Sequence, residues 1–195
     1  MKKYVVFILA LLCLMLSACG GNSNDAAQAD QAGAPSVSNS DEASPEKQEP
    51  EKRVAKDDAQ MQTDDPAMPT RVIENGTRIN LHFGDTILPG ILNDCGTAKA
   101  LIDMLPYTVH MSSYSHDFCG VMPDELPYNE DEVHHGWLNG DIDYAIDAPY
   151  FTILHSDEDI SERYGYQVNI GVLDCELSQI RELSGSYDVL IELAE

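Results

Sequence analysis

The chain has 195 residues, with 34 acidic against 11 basic side chains and a formal net charge of −23. A field of that sign repels phosphate backbones and anionic headgroups, which argues against nucleic acid as a partner and against a domain lying on a membrane surface. Cationic groups and divalent ions are the electrostatically easy partners.

Lys2 and Lys3 precede an apolar run over residues 4–16, too short for the roughly 20 residues a spanning helix needs. The run closes on Leu16-Ser17-Ala18-Cys19 followed by Gly20-Gly21, small residues that admit a peptidase and a thiol that can carry lipid. Residues 1–18 are therefore expected to be a lipoprotein signal peptide, and Cys19 the lipidated first residue of the mature chain. Two or more acyl chains, palmitate among them, hold stably at about 0.8 kcal/mol per buried methylene. The expected location is extracytoplasmic, anchored to the cell membrane. Because Gly20 is not the aspartate that often retains lipoproteins in an inner membrane, the outer membrane is the destination in an organism that has one.

Residues 19–70 are dominated by Ala, Gln, Ser, Asp, Glu, Pro and Lys, with few apolar side chains to offset the entropy of ordering a backbone. They are expected to be a disordered acidic tether. From residue 71 the composition changes to alternating apolar residues and turn signals, and residues 71–195 are the right size for one domain. That stretch holds 23 acidic and 5 basic side chains, so it carries most of the charge.

Residues 77–83 alternate with period two, Gly84-Asp85 turns the chain, and residues 86–92 run apolar again, which predicts an opening β-hairpin. Asn93 or Asp94 can cap a helix carrying Ala98, Leu101, Ile102 and Leu105 before Pro106 stops it. A strand over residues 107–111 follows. Residues 112–139 are rich in Ser, Asp, Glu, Pro, His and Gly and are expected to form a long surface excursion. Strands are predicted again from Gly140-Asp141, over residues 150–155, over residues 166–172 and over residues 187–193, with a second helix over residues 175–183. Many short strands with two small helices point to a mainly β, closed barrel.

The segments LNDCGTAKALIDMLP, CGVMPDELP, NGDIDYAI and YGYQVNIGVL, in this order, resemble the bacterial cyclophilin-like domain family over residues 77–193. The most specific parts are Asn93-Asp94 with Ala98, Ala100, Leu101 and Leu105-Pro106, and Gly140-Asp141-Ile142. The resemblance implies a cyclophilin-like closed barrel with two short helices and a groove on one face. It does not imply isomerase activity, because a fold hosts many functions. True cyclophilins use an arginine in a phenylalanine-histidine-arginine strand motif, and Arg71, Arg78, Arg163 and Arg181 all lie outside any such motif.

No hydrolase elbow, phosphate-binding glycine loop or metalloprotease helix is present, and a Cys119 nucleophile with His110 or His116 as base is a chance pairing. Cys95, Cys119 and Cys175 lack the close pairs of a zinc site, and either one bridge with one thiol or three thiols fits an exported chain. Weak metal candidates are His116, Asp117, His134 and His135, with a second acidic group at Asp157, Glu158, Asp159, Glu162 and His155. Adjacent histidines diverge on a strand and the acidic run lacks calcium-loop spacing, so no metal or cofactor is expected. Cys119, Met122, Tyr128, Trp137, Tyr144 and Tyr164 are the candidate groove residues, aromatics supplying area and a polar edge together. The expectation is a binding or accessory module for a peptide or small molecule, leaning away from enzyme activity. A prolyl isomerase with atypical groups is the alternative, and divalent-metal binding comes third.

Overall fold

The computed structural model describes residues 53–195, all within one compact unit. The predicted signal peptide, Cys19 and most of the predicted tether lie outside the described residues. The alternating segments form the expected strands: β1 (Thr77–Phe83), β2 (Thr86–Leu92), β3 (Tyr107–Ser113), β6 (Asp141–Ala145), β7 (Tyr150–Leu154), β8 (Tyr166–Leu173) and β9 (Ser186–Leu193). The excursion expected over residues 112–139 contains two more, β4 (Asp117–Val121) and β5 (Val133–His135). In β4 one of the two inward positions is Gly120, whose missing side chain lets the backbone approach His110, so the apolar alternation that marks a strand is erased.

Strand pairing runs β2-β1-β9-β3-β4-β7-β6-β8, and β8 pairs back onto β2 through Gly90–Leu173 to Leu92–Gly171. Every pairing is antiparallel, which closes an eight-stranded barrel and leaves no long edge open. β5 takes the half of β8 that β2 leaves free, pairing Val133–Val168 through His135–Tyr166. Inward positions fill the interior: Ile79, Leu81 and Phe83 from β1, Val109 and Met111 from β3, Phe118 from β4, Phe151 and Ile153 from β7. Phe83 and Phe118 meet edge to face at 5.1 Å, the arrangement aromatic quadrupoles prefer.

Helix α2 (Gly96–Met104) closes one side of the barrel, burying Thr97, Ala98 and Leu101. Its cap is Cys95, whose sulfur accepts from the Ala98 N–H, while Asn93 supports the turn by accepting from the Cys95 N–H at 3.1 Å. The cap thus falls one residue beyond the predicted pair. The second helix, α3 (Leu177–Arg181), is shorter than the predicted 175–183. All three domain cysteines are unpaired thiols.

The largest departure is at the domain's start. Residues 53–70, expected in the tether, pack against the barrel together with Arg71 and Val72. A single helical turn, α1 (Ala55–Asp58), buries Ala55; Val54 bridges to His135; the Leu177 N–H donates to the Ala67 carbonyl at 2.8 Å, and the Thr70 N–H to the Asn139 carbonyl at 2.8 Å. This strap is held mainly by backbone hydrogen bonds and an ion pair, neither of which leaves a mark in hydropathy. Its course also explains Gly140, which has φ +97° and whose Cβ, were there one, would lie 2.4 Å from the Pro69 Cβ.

Candidate functional site

The segment between β4 and β5 folds back onto the barrel end. Met122 and Leu126 join the core, and the Leu126 N–H donates to the Tyr144 hydroxyl at 3.1 Å, so Met122 and Tyr144 are packing groups. Tyr128 stays exposed on the same segment. Cys119 sits half-buried opposite Thr152, and burial followed by the Asp117 charge pushes its thiol up to about 12, which keeps it protonated and a poor nucleophile. His110 is paired with Asp188 at 2.8 Å and His116 stacks on Trp137 at 4.9 Å, so each candidate base is engaged elsewhere.

Trp137 and Tyr164 do come together. Trp137 is 2% exposed, its indole N–H donates to the Ser156 carbonyl at 2.8 Å, and its ring meets Tyr164 at 5.2 Å. Behind this cluster lies His155, whose imidazolium is disfavoured by burial, then by Arg181 and His116, lowering its pKa to about 4. Of the weak metal candidates, His134 is buried and its pKa is lowered by desolvation, His135 stacks on Tyr166 at 4.3 Å, and the Asp117 pKa is raised by burial. Among the described residues no three His, Cys, Asp or Glu side chains are grouped so as to hold a metal.

A polar layer that the sequence reading missed lies on the outer face of β6. Ile142 and Tyr144 point into the barrel, which sends Asp141 and Asp143 outward, where alternation predicts solvent. Instead both are fully buried. Arg71 meets Asp141 bidentately, Nε to Oδ1 at 2.7 Å and NH2 to Oδ2 at 2.9 Å, and the Leu138 N–H donates to the same carboxylate. Asp143 accepts from Asn169 Nδ2 at 2.9 Å, while its other oxygen has no hydrogen-bond partner. Desolvation, then the Asp141 charge, raises the Asp143 pKa well above the ordinary carboxylate range. The available signal was Arg71 itself, a cation opening a strongly acidic domain.

The strap creates two recesses. One, of about 300 Å³, lies between Asp58, Gln60 and Arg71 on the strap and Asn93 to Cys95 ahead of α2. The other, of about 580 Å³, has Asp64 and Asp65 on its strap side and Glu158, Asp159 and Glu162 opposite, with His135 and Trp137 in the wall. Glu158 is fixed there, its carboxylate accepting from the Thr70 hydroxyl at 2.7 Å and the Asn139 N–H at 2.6 Å. Trp137 is the one predicted groove residue that lines either recess.

This barrel, with its α2 cap and the motifs carrying it, matches the family model described as the cyclophilin-like family over residues 81–192, and the chain belongs to that family. The solution structure of a hypothetical protein from Archaeoglobus fulgidus aligns at 15% identity and a TM-score of 0.42, covering 63% of this chain and 100% of that one. No curated protein matches the chain.

Proposed function

We propose that this protein is an exported lipoprotein whose cyclophilin-like domain works by recognition, taking the cationic part of a peptide or small molecule into the larger strap-walled recess. Anchoring rests on the sequence around Cys19, where a positive start, a short apolar core and a small-residue cleavage site meet a thiol. The observation that carries the ligand class is the recess of about 580 Å³, whose lining holds Asp64, Asp65, Glu158, Asp159 and Glu162 with one lysine, Lys56, and no arginine. Carboxylates converging from two walls favour a cation through the summed field as well as through contact. His135 and Trp137 give that wall apolar surface for the ligand's stem.

Prolyl isomerisation is the second reading. It needs a donor near the prolyl nitrogen to lower an amide barrier of about 20 kcal/mol. The described arginines are committed elsewhere: Arg53 to Asp58, Arg71 to Asp141, Arg78 to Asp174, Arg163 to the Tyr164 hydroxyl and Arg181 to the His155 carbonyl. Both readings are tested on one preparation. A lysine-rich peptide is titrated by calorimetry against an acidic peptide of equal length, and X-Pro exchange is followed with a true cyclophilin as control. Recognition predicts saturable, salt-sensitive binding of the basic peptide alone and no acceleration of exchange; catalysis without such binding would replace it with isomerisation.

A further inference from the structure

The strap is fastened differently from everything beneath it. None of residues 53–72 belongs to the barrel's core cluster, which begins at Ile79. The strap's own buried apolar groups, Ala55 and Pro69, are small, and Met61 is 45% exposed. The barrel's ladder closes through β2 and β8 without it. Its attachment consists of the Arg71–Asp141 pair, the Thr70 and Ala67 backbone bonds, the Thr70 hydroxyl on Glu158, and the His135 N–H donating to the Arg53 carbonyl at 2.9 Å. Segments with few apolar contacts open locally at a fraction of the global unfolding free energy.

Across the larger recess, moreover, strap carboxylates Asp64 and Asp65 face Glu158, Asp159 and Glu162. Like charges on two walls push them apart, and Lys56 is the one lysine or arginine in the lining. The latch opposes the push. Arg71 and Asp141 are both desolvated, so a half-open position, which strips the charges of partner before water reaches them, is penalised relative to a fully closed or fully open one.

We propose that residues 53–72 form a clasp that swings off the intact barrel as a unit, latched by Arg71 on Asp141 and pressed open by like charge across the recess it walls. A cation in the recess would neutralise the push and close the clasp, so ligand binding and closure are linked. That linkage rests on the proposed recognition of cations; the clasp itself does not, and its test needs no ligand.

Hydrogen exchange read by mass spectrometry on the full chain in detergent decides it. The amides that bond across the seam, Thr70 to Asn139, His135 to Arg53 and Leu177 to Ala67, are expected to exchange at least about tenfold faster than those of β1 and β9, and to slow several-fold on raising sodium chloride from about 50 to 500 mM as screening weakens the repulsion. The double substitution Asp64→Asn with Asp65→Asn should slow the same amides at low salt, and Arg71→Met should hasten them by a larger factor than it hastens β1 and β9. Should Arg71→Met fail to fold, the asparagine pair, made at exposed positions, answers the question alone. Seam amides that exchange in step with β1 and β9, or that ignore both salt and the asparagine pair, overturn the clasp. Failure of the lysine-rich peptide to bind would end the ligand linkage and leave the clasp standing.

Discussion

At Asp143 a carboxyl occupies a place where alternation along β6 promises water, yet it is fully buried beside Asn169 and near the Arg71 charge. Its pKa is raised in the folded state, so its contribution to stability is complete below the unfolded value of about 4 and is lost as pH rises through the folded value. Asp143→Asn keeps an oxygen for the Asn169 donor and removes the ionisation, and is expected to raise neutral-pH stability by roughly 1 kcal/mol or more. Chemical denaturation across pH should show wild type and variant converging below about pH 4; a variant less stable at neutral pH would mean that the ionised form is the native one. Asp141 differs in its partners: Arg71 meets both of its oxygens and the Leu138 N–H donates to it. Arg71→Met or Asp141→Asn alone is expected to cost about 3–5 kcal/mol by stranding the other partner, and the double variant less than the sum. Additive single costs in a urea series would show that the two groups are not coupled.

At the scale of elements, legibility followed hydrophobicity. β1, β2, β3, β6, β7, β8 and β9 each put apolar side chains into the barrel on alternate positions, so their existence and type could be read, with ends off by a residue or two. β4 escaped because Gly120 occupies an inward position, and β5 because its three residues are Val133, His134 and His135. The strap escaped for a deeper reason: composition reports the burial of side chains, while backbone carbonyls at Arg53 and Ala67 and the guanidinium of Arg71 do the holding. Of the candidate groove, Trp137 and Tyr164 were brought together and Met122 and Tyr144 were taken into the core, since an aromatic or thioether on a loop reads alike whether it lines a groove or plugs a barrel. Gly140 ties the legible part to the rest. With φ +97° and Pro69 against it, Gly140→Ala combines backbone strain with displacement of the strap and is expected to cost about 1–3 kcal/mol. Because Gly140 also begins the β6 segment, thermal unfolding is paired with proteolysis at Arg53 and Lys56; an unchanged cleavage rate would show that the strap does not rest on this glycine.

At the scale of the whole molecule, charge and attachment belong to one design. An acidic domain is repelled by anionic headgroups, so nothing in its surface field would keep it at a membrane. The lipid proposed on Cys19 would supply the hold that this field does not; residues 53–195 contain no helix long and apolar enough to span a bilayer. Lipid chains are additive in their hold: one alone binds marginally, and two or more bind stably at about 0.8 kcal/mol per methylene. Cys19→Ala removes the acceptor thiol while leaving the charged start and apolar core that direct export. The wild-type chain is expected to incorporate labelled palmitate and enter the detergent phase on phase separation, and the variant to lose the label and move to the aqueous phase or remain as uncleaved precursor. The precursor is distinguished by its size on a gel. A Cys19→Ala chain of mature size that still enters the detergent phase would place the anchor elsewhere. A palmitate-free wild-type chain in the aqueous phase would make the domain a freely diffusing one, whose strap, and any cation it captures, would act without a membrane at the other end.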